Sequence, residues 1–94
     1  MILLNVYYKA KPGKREEFFK AVKESGVPEM SRAEEGNIRY DYYFSDADED
    51  LLLLVEHWKD REAFEIHCST EHFKSLGAIK EEYLQGTDIN KVEC

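Results

Sequence analysis

Ninety-four residues carry 20 acidic and 13 basic side chains, a formal net charge of -7, and 43% hydrophobic residues. That size suits one domain over residues 1–94, and the apolar and aromatic content excludes a disordered tail. The negative field opposes phosphate backbones and anionic bilayers, so neither nucleic acid nor membrane is expected as a partner.

Met1 to Tyr8 lacks the basic leader and small-residue cleavage site of an export signal. The longest apolar run, Leu51 to Val55, falls far short of a membrane span. Cys68 and Cys94 have neither metal-knuckle nor redox-pair spacing, so they read as free thiols of a reducing, cytoplasmic setting.

In chain order, the β-branched and aromatic run Ile2 to Tyr8 predicts a strand, halted by Lys11-Pro12-Gly13. Lys14 to Ser25 sets Phe18, Val22 and Ser25 on one side of an amphipathic helix, stopped by Gly26 and Pro28, with a short helical turn over Glu29 to Glu34. Ile38 to Ser45 alternates, with Ile38, Tyr40, Tyr42 and Phe44 expected inward. After the acidic turn Asp46 to Asp50 comes a strand from Leu51 to Trp58, with Leu52, Leu54, Glu56 and Trp58 on one face and Leu53, Val55 and His57 on the other. Asp60 is placed to cap a helix bearing Ala63, Phe64, His67 and Cys68. Ser69-Thr70 marks a break and a second cap before Phe73, Leu76, Ile79, Tyr83 and Leu84, and Gly86 ends that helix. Thr87 to Val92 is expected as a short last strand with Ile89 and Val92 inward.

The order β-α-β-β-α-β is the split βαβ, ferredoxin-like pattern: an α+β fold with a four-stranded antiparallel sheet and helices on one face. The other face then presents Leu51, Leu53 and Val55, which a second copy would cover. An obligate homodimer is expected.

Several segments occur in a recognisable order: Pro12-Gly13, Glu35-Gly36-Asn37-Ile38-Arg39-Tyr40-Asp41, Glu56-His57-Trp58, then Ala63, His67 and His72-Phe73. This order resembles the antibiotic biosynthesis monooxygenase family nearly end to end. The resemblance implies a dimeric α/β barrel with a pocket between sheet and helices. It also implies a cofactor-independent monooxygenase acting on a small quinol-like or phenolic molecule, a planar aromatic partner needing neither flavin nor metal. Polyketide-oxidising relatives carry an Asn where this chain has Leu54, and haem-degrading relatives a ligand His where Gly77 stands. The segment from Glu34 through His72 also resembles the branch that isomerises a phosphorylated signalling molecule, for which Arg39, Lys74 and Lys80 are the available cations. A non-catalytic small-molecule-binding module is a third reading of the same fold.

On these grounds the candidate catalytic residues are His67, His72 and Glu56, and the candidate substrate-binding residues are Trp58, Tyr40 and Asn5. His67 at helical spacing after Phe64 is a proton acceptor near neutral pH or a packed core imidazole. His72 lies close enough in sequence to share its cavity or to cap a turn. Glu56 in an inward row needs a partner, with Arg39 and Tyr40 available, and serves as an ion-pair member or a base. Trp58 stacks on a flat guest or fills the core, and Tyr40 lines the same face. Asn5 polarises a bound oxygen or bonds at a dimer seam. No metal site, phosphate loop or nucleophile elbow is expected from the spacings.

Overall fold

The computed structural model covers residues 1–94. Strand β1 (Ile2–Ala10) leads through a turn at Gly13, whose φ of 76° is left-handed, into α1 (Arg15–Glu24). A second left-handed glycine, Gly26, turns the chain into α2 (Val27–Arg32). There follow β2 (Asn37–Phe44), β3 (Leu51–Trp58), α3 (Arg61–Ser69), α4 (Glu71–Tyr83) and β4 (Leu84–Glu93). The strands form one antiparallel sheet in the order β2-β3-β1-β4. This is the ferredoxin-like arrangement expected from the element order.

Strict alternation makes the core. Ile2, Leu4, Val6, Tyr8 and Ala10 of β1 and Leu52, Leu54, Glu56 and Trp58 of β3 are all buried beneath the helices. Phe18 and Val22 of α1, Val27 of α2 and Leu76 of α4 close over them. Arg15, at the head of α1, donates to the carbonyls of Ser45 (2.8 Å), Asp48 (3.1 Å) and Leu51 (3.2 Å), fixing the β2–β3 turn against that helix.

The other face carries Leu3, Asn5 and Tyr7 beside Leu53, Val55 and His57, in register across β1 and β3. No helix covers these residues.

Three expectations need correction. Ile38 is not inward but 56% exposed, because the β2–β3 register steps from Asn37↔Trp58 directly to Arg39↔His57 and leaves Ile38 as an unpaired bulge. Helix α4 ends at Tyr83 rather than at Gly86, and β4 is ten residues long, starting at Leu84. Ile89 and Val92 do not point inward together: three residues apart on an edge strand, they oppose Val6 and Leu3 on different faces, and both are more than half exposed.

Candidate functional site

Two capped helix starts place the two histidines. Asp60 Oδ1 accepts from the Ala63 amide at 2.8 Å and begins α3, so Ala63 and His67, four residues apart, share its buried face. Thr70 ends α3 and caps α4: its Oγ1 donates to the His67 carbonyl (2.7 Å) and accepts from the Phe73 amide (3.2 Å). His72 thereby falls in the first turn of α4.

Opposite them, the loop between α2 and β2 is pinned by Glu34 N to Ser31 O (3.2 Å), Asn37 N to Glu34 O (3.0 Å) and Lys59 N to Gly36 O (2.9 Å). It holds Glu34 against both imidazoles. Glu34 Oε2 lies 2.6 Å from His67 Nδ1 and 2.8 Å from His72 Nε2. A carboxylate only accepts, so both facing nitrogens carry hydrogen, and a neutral His67 has its lone pair on Nε2. That nitrogen lies 3.8 Å from Glu56 Oε1, which accepts from the Trp58 indole at 3.1 Å. The His67 ring stacks on Trp58 at 4.4 Å and 31° and is bordered edge-on by Phe73 (5.2 Å) and Tyr40 (6.0 Å).

His67, Glu56, Trp58 and Tyr40 therefore meet in one buried cluster, with His72 at its partly exposed edge. Asn5 does not join them, because alternation turns it to the uncovered face, opposite Val55 and Asn90. Arg39 does not reach Glu56 either: the bulge and pleat turn it to that same face, where it bonds Asp41 (3.0 Å) and Tyr43 (2.5 Å). Glu34 is the member that sequence reasoning missed as a site residue. Its one signal was its place in the acidic pair just before Gly36.

Nor is there an open pocket between sheet and helices, as the family resemblance had implied. The rings of Trp58, His67 and Tyr40 fill that space, each no more than 2% exposed. The largest depression, about 390 Å3, lies on the outer flank of α3, lined by Glu34, Gly36, Lys59, Asp60, Ala63 and Thr70 among others. Glu34 belongs to both the groove and the buried cluster.

Burial governs the electrostatics. Desolvation holds His67 below its ordinary value despite the opposing pull of Glu34, so the imidazole stays neutral near pH 7. Desolvation pushes Glu56 up to about 7, against the lowering effects of the Trp58 indole and the Lys80 charge and reinforced by Glu34. Lys80 of α4 stands over the rings of Tyr8 (5.4 Å) and Phe73 (5.7 Å), and burial lowers its pKa.

Glu56 thus links stability to pH. The folded chain keeps this proton after the unfolded chain, with an ordinary value near 4.5, has released it, so stability falls as pH rises from about 4.5 to about 7. Gln at this position keeps an acceptor for the indole and cannot ionise among Glu34, His67, Lys80, Tyr8 and Tyr40. Glu56→Gln is expected to exceed wild type by on the order of 2–3 kcal/mol at pH 8, with the advantage shrinking toward pH 5. Thermal unfolding of both proteins at the two pH values checks this, and an equal gap at both would contradict it.

The fold corresponds to a known class. Residues 1–78 match the family model described as antibiotic biosynthesis monooxygenase. The chain is 40% identical over 94 residues to the Bacillus subtilis protein named "Putative monooxygenase YcnE", covering 99% of this chain and 97% of that one. Among solved structures, PA3566 from Pseudomonas aeruginosa superposes with a TM-score of 0.87 at 30% identity, covering 99% of this chain and 92% of that one. A Bacteroides thetaiotaomicron protein described as a possible oxidoreductase gives 0.86 at 31%, covering 99% and 96%. The chain belongs to the antibiotic biosynthesis monooxygenase family.

Proposed function

We propose that this protein is a cofactor-independent monooxygenase of a small quinol-like or phenolic molecule, with His67 as the proton acceptor. The observation that carries the reading is the 2.6 Å bond from His67 Nδ1 to Glu34, which fixes the tautomer and leaves the basic Nε2 among Trp58, Tyr40 and Glu56. A deprotonated hydroquinone can supply all four electrons that oxygen needs. One oxygen atom enters the ring, the ring becomes a hydroxyquinone, and the second atom leaves as water. The protein then provides orientation and a base. Trp58 and Tyr40 offer flat apolar surfaces to such a ring, while Glu34, His72 and Glu56 orient the imidazole. Because the rings close over Nε2, turnover includes an opening of α3 and α4 from the sheet.

The test is oxygen uptake with a panel of hydroquinones and phenols. Wild type is expected to consume oxygen with at least one of them and His67→Ala to lose roughly 100-fold or more, the usual worth of a general base. Uptake with none of them would leave this reading without support, and binding without turnover would favour a non-catalytic module. The isomerase reading lacks its cation cluster: Arg39 faces away and exposed Lys74 lies 3.9 Å from Glu71, leaving Lys80 alone.

The homodimer belongs to the same proposal. Leu3, Tyr7, Leu53 and Val55 form a half-buried apolar patch on a face without helices. Sedimentation is expected to give twice the chain mass at micromolar concentration, and a stable monomer would contradict the barrel. No helix is long and apolar enough to cross a membrane. The free thiols Cys68 and Cys94 support a reducing, cytoplasmic setting.

A further inference from the structure

We infer that Glu34, His67 and His72 form a binding site for one first-row divalent transition cation of the zinc class per chain. Three observations converge on it. One ligand atom from each of Glu34, His67 and His72 lies within 4.8 Å of the other two, brought from a loop and two helices. Glu34 Oε1 is buried with no hydrogen-bond partner, an acceptor the protein leaves unanswered beside two imidazoles. On the far side of His67, Glu56 Oε1 stands 3.8 Å from Nε2, the side from which a carboxylate steadies a ligating imidazole.

The donor set selects the cation. Two imidazoles and one carboxylate, with no thiolate among them, suit zinc, copper, nickel or iron and give magnesium or calcium too few oxygens. With bonds of about 2.1 Å in tetrahedral geometry, ligand atoms stand roughly 3.4 Å apart. The contacts to Glu34 of 2.6 and 2.8 Å are the lengths of hydrogen bonds. Loading therefore moves the ring hydrogen off each facing nitrogen and parts Glu34 from each imidazole by about 0.6–0.8 Å. On the approach side, the groove that Glu34 lines also carries Glu35, Asp60 and Glu62, in a chain of net charge -7, so the local field draws cations in.

The inference does not rest on the oxygenase reading, but it bears on it. A cation on Nδ1 of His67 puts the ring proton on Nε2, where a base must have none. The loaded and the proton-accepting states exclude one another.

Chelator-treated full-length protein is titrated with Zn2+ by calorimetry and with Co2+ by visible absorption. The expected result is one equivalent per chain with a Kd on the order of micromolar. Co2+ is expected to show the visible bands of a low-coordinate nitrogen and oxygen site, and Mg2+ no heat. His72→Ala, which removes a partly exposed side chain, is expected to weaken Zn2+ at least about tenfold, with folding checked by circular dichroism. If that variant does not fold, imidazole resonances of wild type decide: Zn2+ should move those of His67 and His72 and leave His57 in place. No stoichiometric Zn2+ binding, wild-type affinity in folded His72→Ala, or a response confined to His57 would each overturn the site. Oxygen uptake enters none of these readouts, so failure of the oxygenase reading and failure of this one are distinguishable.

Discussion

Gly36→Ala is expected to cost about 2–3 kcal/mol, at the upper end for overpacking, although the added group is only a methyl. A Cβ built at Gly36 would stand 2.2 Å from the Cβ and 3.4 Å from the Cα of Ala63. Neither is the far end of a flexible side chain, so the strain passes to α3 itself. That helix carries His67 one turn further on, and the loop bearing Gly36 carries Glu34. The substitution should therefore lower the urea midpoint and also loosen the contact between Glu34 and His67. Ala63→Gly on the same background should restore part of the loss by relieving the clash, less about 1 kcal/mol for glycine inside a helix. A wild-type midpoint for Gly36→Ala would show that the loop and helix are not so close.

The second large effect is at Trp58. Its side chain is fully buried, stacks on His67 and donates to Glu56, so Trp58→Ala is expected to cost about 3–5 kcal/mol by leaving a cavity and an unpaired acid. Trp58→Phe keeps one ring, loses the donor and only part of the buried volume, and should cost less than Trp58→Ala. Because the indole bond is what lowers Glu56 against its burial, the same variant should move the pH dependence of stability to higher pH. Urea unfolding across pH 5 to 8 measures both. A loss below about 1 kcal/mol for Trp58→Ala would mean that the ring is not part of the core.

Much of this molecule is written in periodicity. The alternation of Leu51 to Trp58 marks β3 with its ends and its faces, and Asp60 and Thr70 cap the two helices that the break at Ser69-Thr70 divides. Where register depends on more than period two, the pattern misleads. The bulge at Ile38 leaves no trace in a string of alternating apolar residues. The polar composition of β4 let only Thr87 to Val92 be read as strand, and its ten-residue length was missed because pairing with β1, not composition, holds it in place. Asn5 was legible as an oddity but not as a direction, since one polar residue in an apolar run fits either face.

The candidate site divides along the same line. Residues that share a strand or helix row, such as Glu56 with Trp58, could be grouped from sequence. The partner that organises them could not: Glu34 meets His67 and His72 across 33 and 38 residues, a distance at which no local rule operates. Filling of the interior by rings was equally invisible. The same aromatic stripe predicts either a lined hollow or a packed one.

The corner at Thr70 carries one last implication. A single residue closes one helix and opens the next with its own hydroxyl, so each helix is a finished rigid lever, and the two meet at a pivot one residue wide. His67 rides on one lever and His72 on the other, yet both are fastened to the same oxygen of Glu34. The levers cannot spread without one imidazole letting go, which makes that carboxylate the latch of the interior as well as the anchor of its base.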